Sequence, residues 1–252
     1  MARWLPPQRD PARGGTIHGV VHCPTILVLM QRPLVIILGV PGSGKGTQGR
    51  RLAEKFGMAY LATGDLVREV RKRAGTGDAF ADQVKERYDR GRPQPDAVIF
   101  KILRDKLSSL DLAKGIVLDS FPISLGQTQE LFHIVNDFGL DQPVVLFLTL
   151  DEWESIKRIS NRKFCPTCSV AYNPGSEAYT QGTCPTDSSK LITRADDNFR
   201  VVRTRMEEYT DRMEHIHEYF KRKGISVDIN GQQTIDQVHD EIVKKLKEHG
   251  IG

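Results

Sequence analysis

Gly39-Val40-Pro41-Gly42-Ser43-Gly44-Lys45-Gly46-Thr47 is entered from an apolar run, Leu34-Val35-Ile36-Ile37-Leu38, and left through a helical pattern with Leu52, Ala53 and Phe56 on one face. A strand, a glycine-rich turn and a helix start, in that order, make a phosphate cradle. The glycines let backbone N–H groups converge on an anion, and the helix N-terminus adds partial positive charge. Gly42, Ser43, Gly44, Lys45, Gly46 and Thr47 are therefore candidate phosphate ligands, with Lys45 able to reach the β/γ-phosphates of a nucleotide. The general pattern puts Ser or Thr directly after the lysine; here Gly46 intervenes and Thr47 follows.

Downstream, Met58-Ala59-Tyr60-Leu61-Ala62 reads as a short buried strand, and Thr63-Gly64-Asp65 breaks it and caps a helix carrying Leu66, Val67 and Val70. Residues 71–92 are rich in Arg, Lys and Asp, which predicts short helices lying over the core rather than inside it. Pro93-Gln94-Pro95-Asp96 is a turn capping a helix with Val98, Ile99, Ile102, Leu103 and Leu107 at helical spacing. Gly115-Ile116-Val117-Leu118-Asp119 is a second buried strand ending in a carboxylate. In an open parallel sheet that end is where ligands gather, and a carboxylate there suits a water-liganded Mg²⁺. The other reading of Asp119 is a cap for the Phe121-Pro122 turn.

Val144–Leu148 and Ile225–Ile229 are further strands. Asp151 opens a helix with Ile156 and Ile159 inward. Val202, Met206, Tyr209, Met213, Ile216 and Phe220 form the stripe of one long helix, with His215 and His217 beside it in solvent. Ile235, Val238, Ile242 and Leu246 mark a closing helix. Five strands alternating with helices predict an α/β fold, a doubly wound parallel sheet with right-handed crossovers.

Composition narrows the function. Hydrophobic content of 39% with 27% charged residues fits a globular domain, and the net charge of +4 gives no nucleic-acid footprint, since residues 1–29 contribute half of it. The longest apolar runs are too short to span a bilayer. Residues 1–29, with Pro6-Pro7, Asp10-Pro11 and Gly14-Gly15, read as a disordered leader or a start assigned too early, with Met30 the natural beginning; Cys23 then has no role.

Residues 163–195 break the alternation. Cys165-Pro-Thr-Cys168 is followed, after fifteen residues, by Cys184-Pro-Thr-Asp187. Two knuckles supply three thiolates and a carboxylate, a tetrahedral set for structural Zn²⁺. A lone Cys-x-x-Cys can instead be a redox pair, a reading that the matched second knuckle opposes. Clustered cysteines of this kind also point to a reducing compartment, hence the cytoplasm. The segment between has little core of its own, so metal binding would supply folding energy. A nucleic-acid ribbon is disfavoured because the segment is poor in Lys and Arg.

The cradle, Thr63-Gly64-Asp65, Asp119-Ser120-Phe121-Pro122 and Arg194-Ala195-Asp196-Asp197, in this order, resemble adenylate kinase, in its bacterial long-lid form with a zinc-knuckle lid. The resemblance covers about residues 30–250. It implies a P-loop core (30–61, 95–159 and 198–252), a monophosphate-binding insert (62–94) and a zinc lid (160–197). It also implies the reaction ATP + AMP ⇌ 2 ADP with Mg²⁺, in a protein that leans to the monomer. By position, Lys45 and the loop backbone would hold the donor phosphates and Arg158 would stack on the ATP adenine. Arg162, Arg194 and Arg205 would close on the transferring phosphoryl, Asp119 would organise Mg²⁺, and Asp196 and Asp197 would sit at the lid hinge. Thr63, Arg68 and Gln127 would bind AMP through base, phosphate and adenine edge. Phosphoryl transfer needs positioning and spread positive charge more than covalent chemistry, which guanidinium forks provide.

The match departs from the family on the acceptor side. The family reads Asp-Gly-Phe-Pro-Arg where this chain has Asp119-Ser120-Phe121-Pro122-Ile123, and the arginine so lost would grip the AMP phosphate. One charge-assisted contact is worth roughly 1.5–3 kcal/mol, so its loss predicts AMP binding or turnover weaker by about 10- to 150-fold unless another arginine, such as Arg92 or Arg104, substitutes in space. Pro93-Gln94 replaces a Leu-Val pair lining the acceptor base, and Phe199 replaces a glutamate. Besides the adenylate kinase reading, a catalytically weak ATP-binding paralogue and a kinase for another monophosphate remain open.

Overall fold

The computed structural model describes residues 31–90, 92–193 and 199–252, with side chains left out at 199–208 and 211. The leader with Cys23, and Arg194, Asp196 and Asp197, lie outside the described residues.

Strand β1 (Leu34–Gly39) is the spine, buried along its whole length. Its side chains alternate. Leu34, Ile36 and Leu38 join one core, and Val35 and Ile37 the other, as a strand covered by helices on both faces must. The chain continues through α1 (Lys45–Phe56), β2 (Ala59–Ala62), α2 (Thr63–Arg71), α3 (Ala79–Asp89), α4 (Asp96–Leu107), β3 (Ile116–Asp119) and α5 (Leu125–Phe138). After β4 (Val144–Thr149) and α6 (Glu152–Asn161) come a small antiparallel pair, β5 (Lys163–Phe164) and β6 (Ala171–Tyr172), and α7 (Glu177–Gln181). Then α8 (Phe199–Arg222), β7 (Ser226–Asn230) and α9 (Ile235–Glu248) complete the fold.

The five expected strands form one sheet, ordered β2-β3-β1-β4-β7, with every pair parallel. All five C-terminal ends therefore open on the same edge. One face is covered by residues such as Val67, Leu103, Leu131, Ile216 and Phe220 from α2, α4, α5 and α8. The other is covered by Leu52 of α1 and by Val238, Ile242 and Leu246 of α9.

Several local expectations change. Thr63-Gly64-Asp65 does not precede α2 but forms its first turn, with Ala62 at the N-cap. Thr63 donates its hydroxyl backward to the carbonyls of Asp119 and Ser120 instead, at 3.4 and 3.3 Å. Asp96 likewise opens α4 from inside the helix, behind Pro95. Helix α3 does more than cover the core, because Ala81 and Val84 are fully buried in it. His217 is only partly in solvent: its ring lies 4.0 Å from that of Phe147, and Nε2 is 2.5 Å from Asp228 Oδ1. Ile235 is exposed, since it occupies the first position of α9, ahead of the buried stripe. That helix is started by a capping box between Thr234 and Gln237.

One buried polar pair locks α9 onto α1. His239 Nδ1 stands 3.2 Å from Gln48 Oε1, while Gln48 Nε2 donates to Ile235 O at 2.8 Å. Burial, aided by Arg51 and Lys55, holds His239 below its ordinary pKa of 6.5. The unfolded chain therefore takes up this proton at a higher pH than the folded one. Stability from this site is full above pH 6.5 and erodes as the pH falls below it. Replacing His239→Gln should flatten the loss of unfolding free energy between pH 7 and 5, measured by urea titration at each pH. An unchanged slope would remove His239 from the account.

Candidate active site and metal centre

Strands β1 and β3 are in register, Ile37 beside Asp119, so the turn after Gly39 and the carboxylate ending β3 meet at one edge. The turn needs its glycines. At Gly39 φ is +142°, and a Cβ would lie 2.3 Å from Leu148 O; at Gly42 φ is +81°, and a Cβ would lie 2.9 Å from Ser155 O. Fully buried Ser155 clamps the loop by donating its hydroxyl to Pro41 O. Gly44 caps α1, and Lys45, Gly46 and Thr47 make its first turn, so free backbone N–H groups point out of the loop.

The Lys45 ammonium folds over this turn and donates to Gly39 O at 2.6 Å and Val40 O at 3.0 Å, 5.7 Å from the Tyr209 ring centroid. Tyr209 accepts the Gly39 N–H at 3.3 Å. The Ser43 hydroxyl is buried without a hydrogen-bond partner among the described residues. On the far rim, Arg158 bridges Glu154 Oε1 (2.9 Å) and Gly231 O (3.0 Å). Arg162 lies over the Phe164 ring, with Cζ 4.6 Å from the centroid. Arg205 is carried on α8, and its side chain is among those left out.

Asp119 is buried at the sheet edge. Its Oδ2 accepts the Tyr60 hydroxyl at 2.7 Å and its Oδ1 that of Ser120 at 2.8 Å. Burial and the Asp119 charge push the Tyr60 phenol far up, so it stays protonated and donates. Ser120 sits at φ +61°, a left-handed position that glycine enters at less cost. One hydrogen bond per carboxylate oxygen leaves lone pairs for the water ligands of a hard cation, so the position fits Mg²⁺. No sequence signal pointed to Tyr60, which meets Asp119 only because β2 and β3 pair.

On the opposite side, Arg68 is paired with Asp65, and so is Arg50, at 3.3 Å. Gln127 is buried, donating to Asp96 Oδ1 at 2.7 Å and accepting the Ile123 N–H at 2.9 Å. Ile123 packs its side chain against the core. Arg104 is held by Glu130 and Asp137, both at 2.7 Å.

The four knuckle residues converge. One ligand atom from each of Cys165, Cys168, Cys184 and Asp187 lies within 4.8 Å of all the others. Cys165 Sγ is 3.1 Å from Asp187 Oδ2, Cys168 Sγ is 3.7 Å from Cys184 Sγ, and no disulfide joins them. The Tyr172 hydroxyl, 3.3 Å from its sulfur, lowers the Cys184 thiol to about 7, while burial lifts Cys168 to about 11. Asp187 falls to about 2, chiefly through Ser189 and then Cys165. Among the described residues of this segment only Phe164, Cys165, Cys184 and Leu191 are buried, with Cys168 and Tyr172 packed against the last three. Three sulfurs and one oxygen at this spacing fit a tetrahedral Zn²⁺.

Comparison with known proteins agrees with this geometry. The family model described as adenylate kinase matches residues 37–225. Among curated relatives, an adenylate kinase of Thermoanaerobacter pseudethanolicus is 34% identical over 86% of this chain and 99% of its own length. That of Dehalococcoides mccartyi is 35% identical over 84% and 97%, and that of Archaeoglobus fulgidus is 34% identical over 84% and 99%.

The Tyr60–Asp119 contact has a measurable consequence. Tyr60→Phe leaves the ring and removes the donor, exposing a buried carboxylate oxygen to loss of its partner. Unfolding by urea should show a loss of about 1–3 kcal/mol. A variant as stable as the parent would mean that water replaces the hydroxyl.

Proposed function

The chain belongs to the adenylate kinase family and is a phosphotransferase acting on nucleotides, and within that family we propose that it catalyses ATP + AMP ⇌ 2 ADP. The observation carrying this reading is the meeting, at one sheet edge, of the Lys45 cradle and the Asp119 carboxylate, with Arg68 linked to the cradle helix through Asp65 and Arg50. In this reading Gly42, Ser43, Gly44, Gly46 and Thr47 hold the triphosphate through the turn and the helix start. Lys45 exchanges two loop carbonyls for phosphate oxygens, and the Ser43 hydroxyl has a donor to spare. Arg158, at the rim, lies against the donor adenine. Arg162, Arg194 and Arg205 surround the transferring phosphoryl and oppose the charge spread over its oxygens. Asp119, held by Tyr60 and Ser120, orients the waters of Mg²⁺, whose bound chemistry is to neutralise charge between the phosphates.

The acceptor nucleotide lies against residues 62–94, with Thr63, Arg68 and Gln127 as its ligands. Gln127 already has both ends of its amide satisfied, so it positions Asp96 and the Ile123 backbone as well as any base. Residues 160–197 form a lid that closes over the donor and keeps water from taking the phosphoryl group. Cys165, Cys168, Cys184 and Asp187 bind structural Zn²⁺, giving the lid the folding energy its few buried side chains lack. The three cysteines among the described residues, all free, suit a reducing cytoplasm, and the protein acts as a monomer. No helix among the described residues is long and apolar enough to cross a membrane.

The packing of Ile123 in the core favours a second reading, a paralogue with weak acceptor binding. A coupled assay with ATP and each of AMP, CMP, UMP and GMP separates the two. The first reading expects ADP formation dependent on AMP above the others, whereas turnover no higher than that of a Lys45→Met control leaves only ATP binding. For the lid, metal analysis after gel filtration should find about one zinc per chain, and chelation or Cys165→Ala should lower the melting temperature while the core stays folded. Zinc-free protein of normal stability would remove the structural metal.

A further inference from the structure

Transfer between two nucleotides sets an acceptor phosphate beside a donor triphosphate, so cationic charge is needed on the acceptor side of the cradle. Position 123 offers an apolar side chain there, packed into the core. Arg104 is spent on Glu130 and Asp137 of α5, and Arg71 on Asp89. Arg50 stands elsewhere. It lies one helical turn beyond Gly46, and its NH1 donates to Gly46 O at 3.3 Å. Its guanidinium is 5.0 Å from the Tyr60 ring centroid, the same ring whose hydroxyl holds Asp119. A Cβ built on Gly46 would find Arg50 NH1 at 3.3 Å and Asp119 Oδ2 at 3.5 Å, which fixes this guanidinium at the sheet edge beside the carboxylate.

Arg50 also shares one partner with Arg68. Its NH2 lies 3.3 Å from Asp65 Oδ2, while Arg68 takes Oδ1 of the same carboxylate. Two guanidiniums share this one carboxylate, while Asp119 beside Arg50 is already held by Tyr60 and Ser120, and the Arg50, Arg68 and Asp65 side chains are about 30% open to solvent. That is a fork for a dianion. Resting on the phosphoryl-transfer reading above, we infer that Arg50, paired with Arg68 across Asp65, binds the acceptor's phosphate and supplies the guanidinium that position 123 lacks. Asp65 holds the two cations apart until the phosphate arrives, and the Tyr60 ring stacks on Arg50 to limit its freedom. The sequence pointed to Arg92 or Arg104 for this role; Arg104 is held on α5, and α1 offers Arg50.

The test is Arg50→Gln and Arg50→Lys, each alone and combined with Ile123→Arg, beside the parent. Each is titrated calorimetrically with AMP, CMP, UMP and GMP, and assayed with ATP and the best monophosphate varied in turn. Arg50→Gln should weaken monophosphate binding and raise its KM about tenfold or more, with KM for ATP within about twofold. Ile123→Arg should restore most of that loss, and Arg50→Lys should fall between. If Arg50→Gln folds poorly by thermal melt, Arg50→Lys carries the test, with a severalfold loss confined to the monophosphate. Unchanged monophosphate affinity, or equal losses for both nucleotides, overturns the inference and leaves Arg50–Asp65 a structural ion pair. A parent that binds a monophosphate but forms no ADP sinks the phosphoryl-transfer reading, and the titrations still decide Arg50. A parent that binds none of the four overturns the inference itself.

Discussion

Parallel pairing of β1 with β3 is the constraint from which the rest of the site follows. Every hydrogen bond of that ladder is satisfied within a sheet buried on both faces, so the register of Ile37 against Asp119 has no freedom to slip. A shift of one residue would turn Asp119 into a core and carry Val117 and Leu118 to the wrong faces. Because β1 and β3 run the same way, the glycine turn and the carboxylate leave the sheet together. The phosphate-binding chemistry is thus inherited from the ladder.

Around that edge, charge is arranged by hydrogen bonds that predate any ligand. Lys45 is held on two carbonyls, Arg158 between a carboxylate and a carbonyl, and Arg50 and Arg68 on one shared aspartate. Each cation has a partner of modest strength, exchangeable for phosphate oxygens at small cost. Partly exposed ion pairs are worth little in stability, and here that weakness serves the site. Asp119 is different. Buried and held by two hydroxyls, it is fixed rather than poised.

The knuckle segment follows another economy. With only Phe164, Cys165, Cys184 and Leu191 buried among its described residues, it has little apolar area to hold it. Its order comes from two short strands, the backbone bridges Phe164–Ile192 and Thr183–Lys190, and the convergence of four ligand atoms.

Much was legible from residue order alone. The phosphate turn, the five strands, the carboxylate ending β3 and the two knuckles rest on local patterns, in which period, glycine spacing and ligand spacing carry their physical cause within a few residues. Boundaries were less legible, as Thr63 shows: a residue suited to capping was recruited into α2 because the Asp119 and Ser120 carbonyls offered its hydroxyl a distant partner. The sequence by itself therefore determined the fold class, the glycine turn and the four Cys and Asp side chains that converge. Only the tertiary structure decided that Tyr60 holds Asp119, that His217 packs against Phe147, and that Arg50 and Arg68 share Asp65. Those pairings depend on which chain segments the parallel sheet brings side by side, and no periodicity along a single strand or helix encodes a neighbour on another one.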